Sequence, residues 1–384
     1  MSKEVRAPQG QANKLLGLEI VRFISAISVL FWHYQHFFFV ADKATGFVRE
    51  QQPFYSLFSL FYDYGNYGVQ VFWCISGYIF FWKYRSALAD GLVGAKKFFI
   101  LRFSRLYPLH AATLVLVGVL QMVYFAQQGY YFVYQHNDLQ HLLLQLFMAS
   151  HWGFQQGYSF NGPIWSISVE VLVYLVFFLG LRFIGKSMLL NIAVLLACVA
   201  AKWMKIPSPI IDCLAYFYVG GLAAAAAQTL ERTKWLRAAN WLAFAIVLAG
   251  PALAYTGLAR HDWFVAAFLL GYLPFVLFLA AREVHLPQRL HVWGEAAGNM
   301  TYSSYLVHFP IQLGVAIWCA WQQRPIPVHS NKFFLLFVAT TMVAAYFVYR
   351  YFELPAQNAV RRRMSTSGRP GDPAGRKADI PPVQ

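Results

Sequence analysis

Arg22 and His33 stand eleven positions apart in a mostly apolar stretch near the start of the chain, and Glu170, Asp212 and His308 each lie inside a further apolar stretch. A charged or titratable side chain costs roughly 2.5–3.5 kcal/mol or more at the centre of a bilayer, so these groups are the first candidates for chemistry. A histidine beside a carboxylate in low-dielectric surroundings makes a general base, because the carboxylate orients the ring and stabilises the imidazolium that forms. A helix rising about 1.5 Å per residue sets Arg22 and His33 about 16 Å apart, with Arg22 on the cytoplasmic side and His33 deeper. Glu170 falls about 10 Å below the outer boundary of its own stretch, near the depth of His33, and His308 comes close to mid-membrane. Depth therefore predicts that His33 and Glu170 meet, with His308 within a turn or two of them. A lone buried histidine needs only a helix-to-helix hydrogen bond to explain it; two histidines and a Glu converging in depth favour the chemical reading.

A different chemistry is suggested by the basic segment 83–106, read as a cytoplasmic loop, which contains Lys83, Arg85, Lys96, Lys97, Arg102 and Arg105. Arg102 and Arg105 share a helix face at i, i+3 spacing, so their guanidinium forks can grip one phosphate group together. For Lys83 to Lys97, topology signalling or anionic lipid headgroups are the preferred reasons. Leu106-Tyr107-Pro108 then opens the next apolar run. Further on, Asn161-Gly162-Pro163-Ile164-Trp165-Ser166-Ile167-Ser168-Val169-Glu170 reads as a loop entering a helix with Pro in its first turn. Ser166 and Glu170, at i, i+4, can hydrogen-bond one ligand or one histidine. Ser76 and Gly77 allow close approach of helices, and simple packing is the preferred reading of Gly77.

The elements that must position these groups are membrane spans. Of 384 residues, 59% are apolar and only 12% charged, about half the usual charged share, so lipid is the natural solvent. Stretches of about 17–25 apolar residues are long enough to cross a hydrocarbon core of roughly 30 Å. They fall near 18–40, 66–82, 107–126, 164–184, 187–204, 208–228, 239–257, 263–281, 299–321 and 333–351, and 138–150 reads as a partly buried or re-entrant helix. The expectation is an all-α polytopic membrane protein, a single bundle of about ten transmembrane helices with both termini in the cytoplasm, multi-pass in the cell (inner) membrane. Residues 1–16 are then a cytoplasmic N-terminal segment, 17–356 the membrane domain, and 357–384 a basic cytoplasmic tail whose composition predicts disorder.

The net charge of +15 would suit nucleic acid, but its distribution excludes that partner. Most Lys and Arg fall in the N-terminus, the even-numbered loops and the C-terminus, the positive-inside pattern. Cys74, Cys198, Cys213 and Cys319 lie within predicted spans without ligand spacing, so they read as packing residues, with no metal site and no disulfide framework. The first apolar stretch is too long for a cleaved signal and carries Arg22 and His33. Segments 41–65 and 127–163 are long and external in this topology. Trp152, Tyr158 and several Gln and Asn there suit stacking on and hydrogen-bonding sugars, although an interfacial aromatic belt accounts for any single aromatic.

Six motifs, taken in order, make the chain similar to the acyltransferase-3 family of membrane O-acyltransferases. They are Arg22 with His33 at Arg-x10-His spacing; Gly68 through Gly77; Arg102-x-x-Arg105 followed by Tyr107-Pro108; Asn161 through Glu170; Tyr302 through Pro310; and Tyr351-Phe352-Glu353-Leu354-Pro355. The resemblance covers residues 17–356. It implies transfer of an acyl group, usually acetyl, from cytoplasmic acyl-CoA to a hydroxyl, here of a saccharide or glycoconjugate of the cell envelope. Acyl-CoA is then a donor substrate, no cofactor is bound, and the partners are acyl-CoA, the saccharide acceptor and membrane lipids. His33 is the central catalytic residue, with Glu170, Arg22 and His308 completing the expected catalytic set. Arg102, Arg105 and Tyr107 form the expected donor site, and Asn161, Trp165, Ser166, Tyr305 and Ser76 the expected substrate or oxyanion contacts. Many relatives carry Asp where this chain has Gln70, so no acidic role is expected there. No hydrolase-like domain follows the last span, so transfer is completed in the membrane unit or handed to a separate partner.

Two mechanisms stay open from sequence: direct attack on the thioester with His33 as general base, or an acyl-His33 intermediate. The rival function is a transporter or flippase, because buried His33 and Glu170 are equally the parts of a proton relay, although no inverted repeat is visible.

Overall fold

The computed structural model describes residues 15–256, 263–282 and 287–365. Its helices are α1 (Leu16–His33), α2 (Tyr55–Tyr64), α3 (Gly68–Ala89), α4 (Ala95–Gln128), α5 (Leu139–Leu146), α6 (Trp165–Leu179), α7 (Met188–Trp203), α8 (Pro209–Leu230), α9 (Leu236–Tyr255), α10 (Phe264–Ala267), α11 (Leu273–Ala280), α12 (Gln288–Asn299), α13 (Thr301–Trp321), α14 (Asn331–Val348) and α15 (Leu354–Ser365). A 3-10 turn, Tyr34–Phe38, continues α1, and the antiparallel pair Phe39–Val40 and Lys43–Ala44 is the only sheet among the described residues. Local chemistry sets several helix starts. Asp138, Ser187 and Ser330 each accept a hydrogen bond from the first turn of α5, α7 and α14, and Pro209 stands in the first turn of α8.

Among the described residues, six helical stretches are long and apolar enough to cross a membrane: Leu16–Phe38, Ala95–Gln128, Gly162–Ile184, Pro209–Leu230, Leu236–Leu253 and Asn331–Met364. Met188–Trp203 and Phe264–Ala280 are apolar but shorter. Of the other expected spans, α3 and α13 have the length but not the hydropathy, because they carry polar groups such as Gln70, Ser76, Ser303, Ser304, His308 and Gln312 toward the protein interior. Both helices line the cavity described below.

The basic segment 83–106 is helical over most of its length rather than a loop: α3 continues to Ala89 and α4 begins at Ala95. Lys and Arg are good helix formers whose stems lie along apolar surface, so both helices continue through the charged residues, and Gly91, at φ +73°, turns the chain between them. Helix α15 likewise occupies 357–365, inside the stretch predicted to be disordered. A π-helical segment, Tyr349–Glu353, joins α14 to α15 just ahead of Pro355, which has no N–H to offer, and Arg361 Nε donates to Ser104 Oγ of α4 at 3.2 Å. Residues 366–384 of that tail and 1–14 of the expected N-terminal segment lie outside the described residues.

Two close contacts fix the helices relative to one another. A Cβ at Gly77 would meet the Phe217 backbone of α8, and one at Gly220 would meet the Cys74 backbone of α3, so α3 and α8 pack backbone to backbone, as small residues permit in membrane bundles. Pro310, inside α13, has no N–H and leaves the Leu306 carbonyl without its helical donor. Asn161 Nδ2 fills that vacancy at 3.0 Å, tying the segment before α6 to α13. All four cysteines are buried and free.

Candidate active site

Helices α1, α3, α4, α6 and α13 surround a cavity of about 330 Å³, the arginine cavity. Four cations, Arg22, Lys83, Arg102 and Arg105, line it against two carboxylates, Glu19 and Glu170. Glu19 precedes Arg22 by one turn and its Oε1 accepts from Arg22 Nη1 at 3.3 Å. Arg102 is buried; it donates through Nη2 to the Tyr84 hydroxyl at 2.8 Å and lies over the Phe80 ring, 4.7 Å from the centroid. These contacts hold each guanidinium by one edge, while Nε of both Arg22 and Arg102 is buried with no partner. Buried charged donors left unsatisfied are costly, and an anion entering the cavity supplies the missing acceptors. Glu170 accepts from the Tyr174 hydroxyl at 2.7 Å, and Ser76 of α3 lies within hydrogen-bonding reach of it. Ser166 and Tyr305 share a hydrogen bond of 2.8 Å, and Tyr305 also donates to the Pro163 carbonyl at 2.8 Å.

Toward the other end of α1 lies a second cavity of about 440 Å³, the histidine cavity. His33 and His36 enter it beside Trp32, while Tyr134, Gln135, Tyr158 and Trp165 face them. The His33 ring lies flat on that of His308, centroids 4.9 Å and planes 15° apart, and its centroid is 4.8 Å from that of His36. Gln312 of α13 ties this group together: Nε2 donates to the His33 carbonyl at 2.8 Å and Oε1 meets His36 Nδ1 at 3.1 Å. Nδ1 of His33 and Nε2 of His308 are buried without a partner, and His308 Nδ1 is 3.3 Å from the Ser304 carbonyl.

The titratable groups of the segment around α5 are engaged in its structure. Burial pushes the His151 ring down to about 4, so it stands neutral behind Tyr158, ring centroids 4.8 Å apart. Hydrogen bonds from the His141 backbone and ring hold Asp138 below the ordinary carboxylate range. His136, Asp138 and His141 offer ligand atoms within 4.8 Å of one another. Both His141 nitrogens are engaged, however: Nδ1 with Asp138 at 2.9 Å, Nε2 accepting from the Gln156 N–H at 3.2 Å. That is the chemistry of a capped helix start.

The two cavities share a thin wall. Val69 lines both, Trp165 lines the histidine cavity, and the adjacent Ser166 lines the arginine cavity. This wall separates two residues that the sequence predicts to meet: Glu170 faces Ser76, Tyr174 and Arg22 in the arginine cavity, whereas His33 belongs to the other. Depth along a helix leaves the direction around it unspecified, and successive residues of α6 point about 100° apart. Arg22, Arg102, Arg105, Ser76, Ser166 and Tyr305 all line the arginine cavity. Tyr107 does not; it stacks on Phe103 at 4.6 Å. Asn161 is wholly buried and serves the Leu306 carbonyl, and His308 lies behind His33 without lining either cavity. Asp212 sits in the first turn of α8, part-exposed, and pairs with Lys202, away from both cavities. Sequence reasoning passed over Glu19 and Tyr174 in the arginine cavity and His36 and Gln312 beside His33, and it read Lys83 as a topology signal or lipid contact. The available signals were spacing: Glu19 at i−3 from Arg22, His36 at i+3 from His33, and Gln312 at i+4 from His308.

No curated protein matches the chain, and no solved structure does either. The family model described as an acyltransferase domain matches residues 15–350, which takes in every residue lining the two cavities. With nearly the whole membrane bundle inside that match, the chain belongs to the acyltransferase-3 family and is a membrane acyltransferase.

Proposed function

We propose that the chain is an O-acyltransferase moving an acyl group, acetyl in the simplest case, from acyl-CoA in the arginine cavity to a hydroxyl of a saccharide or glycoconjugate in the histidine cavity. The observation that carries this reading is the shared wall: a cationic cavity and an aromatic, amide-bearing cavity lined by His33, His36 and His136 meet at Val69 and the Trp165–Ser166 edge. Ten spans with both termini cytoplasmic, in the cell membrane, would put the arginine cavity on the side where acyl-CoA is made. Tyr134, Tyr158 and Trp165 offer ring faces, and Asn66 and Gln135 amide groups, to a sugar.

In this mechanism Arg102 and Arg105 hold the donor's diphosphate, and the pantetheine arm runs past Arg22 and Ser76 to the wall. His33 takes the proton of the acceptor hydroxyl as that oxygen attacks the thioester carbonyl. The tetrahedral oxyanion collapses, the carbon–sulfur bond breaks, and the departing CoA thiolate receives the proton from His33. Among the described residues no carboxylate hydrogen-bonds the His33 ring; the flat stack on His308 and the Gln312 clamp on its backbone hold it instead. Rotation of the Ser166 or Tyr305 hydroxyl away from the Pro163 carbonyl gives the oxyanion its donor.

Transfer of radiolabelled acetyl from acetyl-CoA into envelope fractions tests the reading, with membranes carrying wild type, His33→Ala or no protein. Label with wild type alone is expected. No label from inserted wild-type protein would remove acetyl-CoA as donor, and label retained by His33→Ala would remove His33 from its role.

A further inference from the structure

We propose that helix α15 completes the donor site, with Arg361 receiving the 3′-phosphate of the CoA ribose. The inference rests on the acyl-CoA reading above and concerns a helix that follows the family match, which ends at residue 350.

Arg361 donates through Nε to Ser104 Oγ at 3.2 Å. Ser104 is buried on α4 between Arg102 and Arg105, the two arginines of the cavity. Arg361 lies within electrostatic range of both, and of Tyr84, whose hydroxyl fixes Arg102. Three guanidinium groups from two helices thus gather around one serine, half-buried or deeper, where like charges repel strongly. Glu170 and Glu353 lie within electrostatic range of Arg105, Glu353 also takes the Ser303 hydroxyl at 2.6 Å, and Glu19 binds Arg22 at 3.3 Å. An anion with more than one charged group is the complement such a cluster calls for.

The order of groups along CoA assigns the arginines. Starting from the thioester come the pantetheine arm, the diphosphate, and then the ribose with its separate 3′-phosphate dianion. With the thioester at the wall, the diphosphate falls to the cavity-lining pair Arg102 and Arg105. Arg361, beside that pair but outside the lining, meets the phosphate that comes last.

Binding of CoA and of 3′-dephospho-CoA to the full chain in nanodiscs of zwitterionic lipid tests this, with wild type, Arg361→Gln and Arg361→Lys. Wild type is expected to bind CoA about tenfold more tightly than dephospho-CoA, as for loss of one charge-assisted contact. That ratio is expected to fall to about one in Arg361→Gln and to recover in part in Arg361→Lys, which keeps the charge but not the fork. Equal binding of the two ligands by wild type, or a ratio unchanged by Arg361→Gln, overturns the assignment while leaving the donor site intact. Loss of the ratio on adding phosphatidylglycerol would assign Arg361 to a lipid headgroup and also overturn it. Wild type that binds neither ligand overturns the donor reading itself.

Discussion

The arginine cavity and the histidine cavity are walled by different kinds of structure. Every charged residue of the first projects from α1, α3, α4 or α6, and Arg22, Arg102 and Glu170 are each held by a named neighbour, Glu19, Tyr84 and Tyr174. The second takes much of its wall from connecting chain: Asp42, Val133 through His136, Gly157 and Tyr158 all lie between helices. Val133 holds φ +60°, a strained conformation for a β-branched residue, at the edge of that cavity. Packed helices suit a site for one constant ligand. Connecting segments tolerate change better, which suits a side whose ligand varies. Under the proposed function, donor and acceptor recognition are separable, one in the bundle and one in the loops.

Substitutions on the two sides are therefore expected to read out differently. The largest effect belongs to His33→Ala, which should lower kcat at least about a hundredfold, the ordinary contribution of a general base, with CoA affinity unchanged. A loss of CoA affinity instead would merge the two sites into one. Next, Arg102→Gln should raise KM for the donor about ten- to hundredfold, as for loss of a charge-assisted hydrogen bond, with acceptor KM unmoved. Equal shifts in both constants would break the separation. Glu170→Gln sharpens it further. Sited in the arginine cavity, it should change donor KM by roughly two- to fivefold, within the reach of one partly screened charge, and leave the pH profile of kcat in place. A displaced profile would restore Glu170 as the partner of His33. Smallest of all, Asp212→Asn removes a part-exposed ion pair with Lys202 and should alter neither constant by more than about twofold.

Much of this was legible in the residues. The apolar stretches foretold the helices, because burial in lipid demands length and hydropathy and both are local properties. The i, i+3 spacing of Arg102 and Arg105 placed both in one cavity, and Arg22 and His33, paired in the sequence reading, line the two different cavities along α1. The azimuth of α6 was not legible: Trp165 and Ser166 face different cavities although they are adjacent, and only the packing of α6 against α3 and α8 decides which way each turns. Arg361 was hidden for another reason. A short basic, Pro-containing stretch has the composition of a tail, and its docking on Ser104 depends on a residue 257 positions away.

The wall at Val69 bears on something other than catalysis. Elsewhere in the bilayer, about 30 Å of hydrocarbon blocks ions, whereas here Val69 lines both cavities and the adjacent Trp165 and Ser166 line one each. In the proposed mechanism the same few side chains that bring donor and acceptor within reach must also keep the membrane electrically tight. A smaller residue at position 69 would trade acyl traffic for proton leak and show itself first as a collapse of membrane potential.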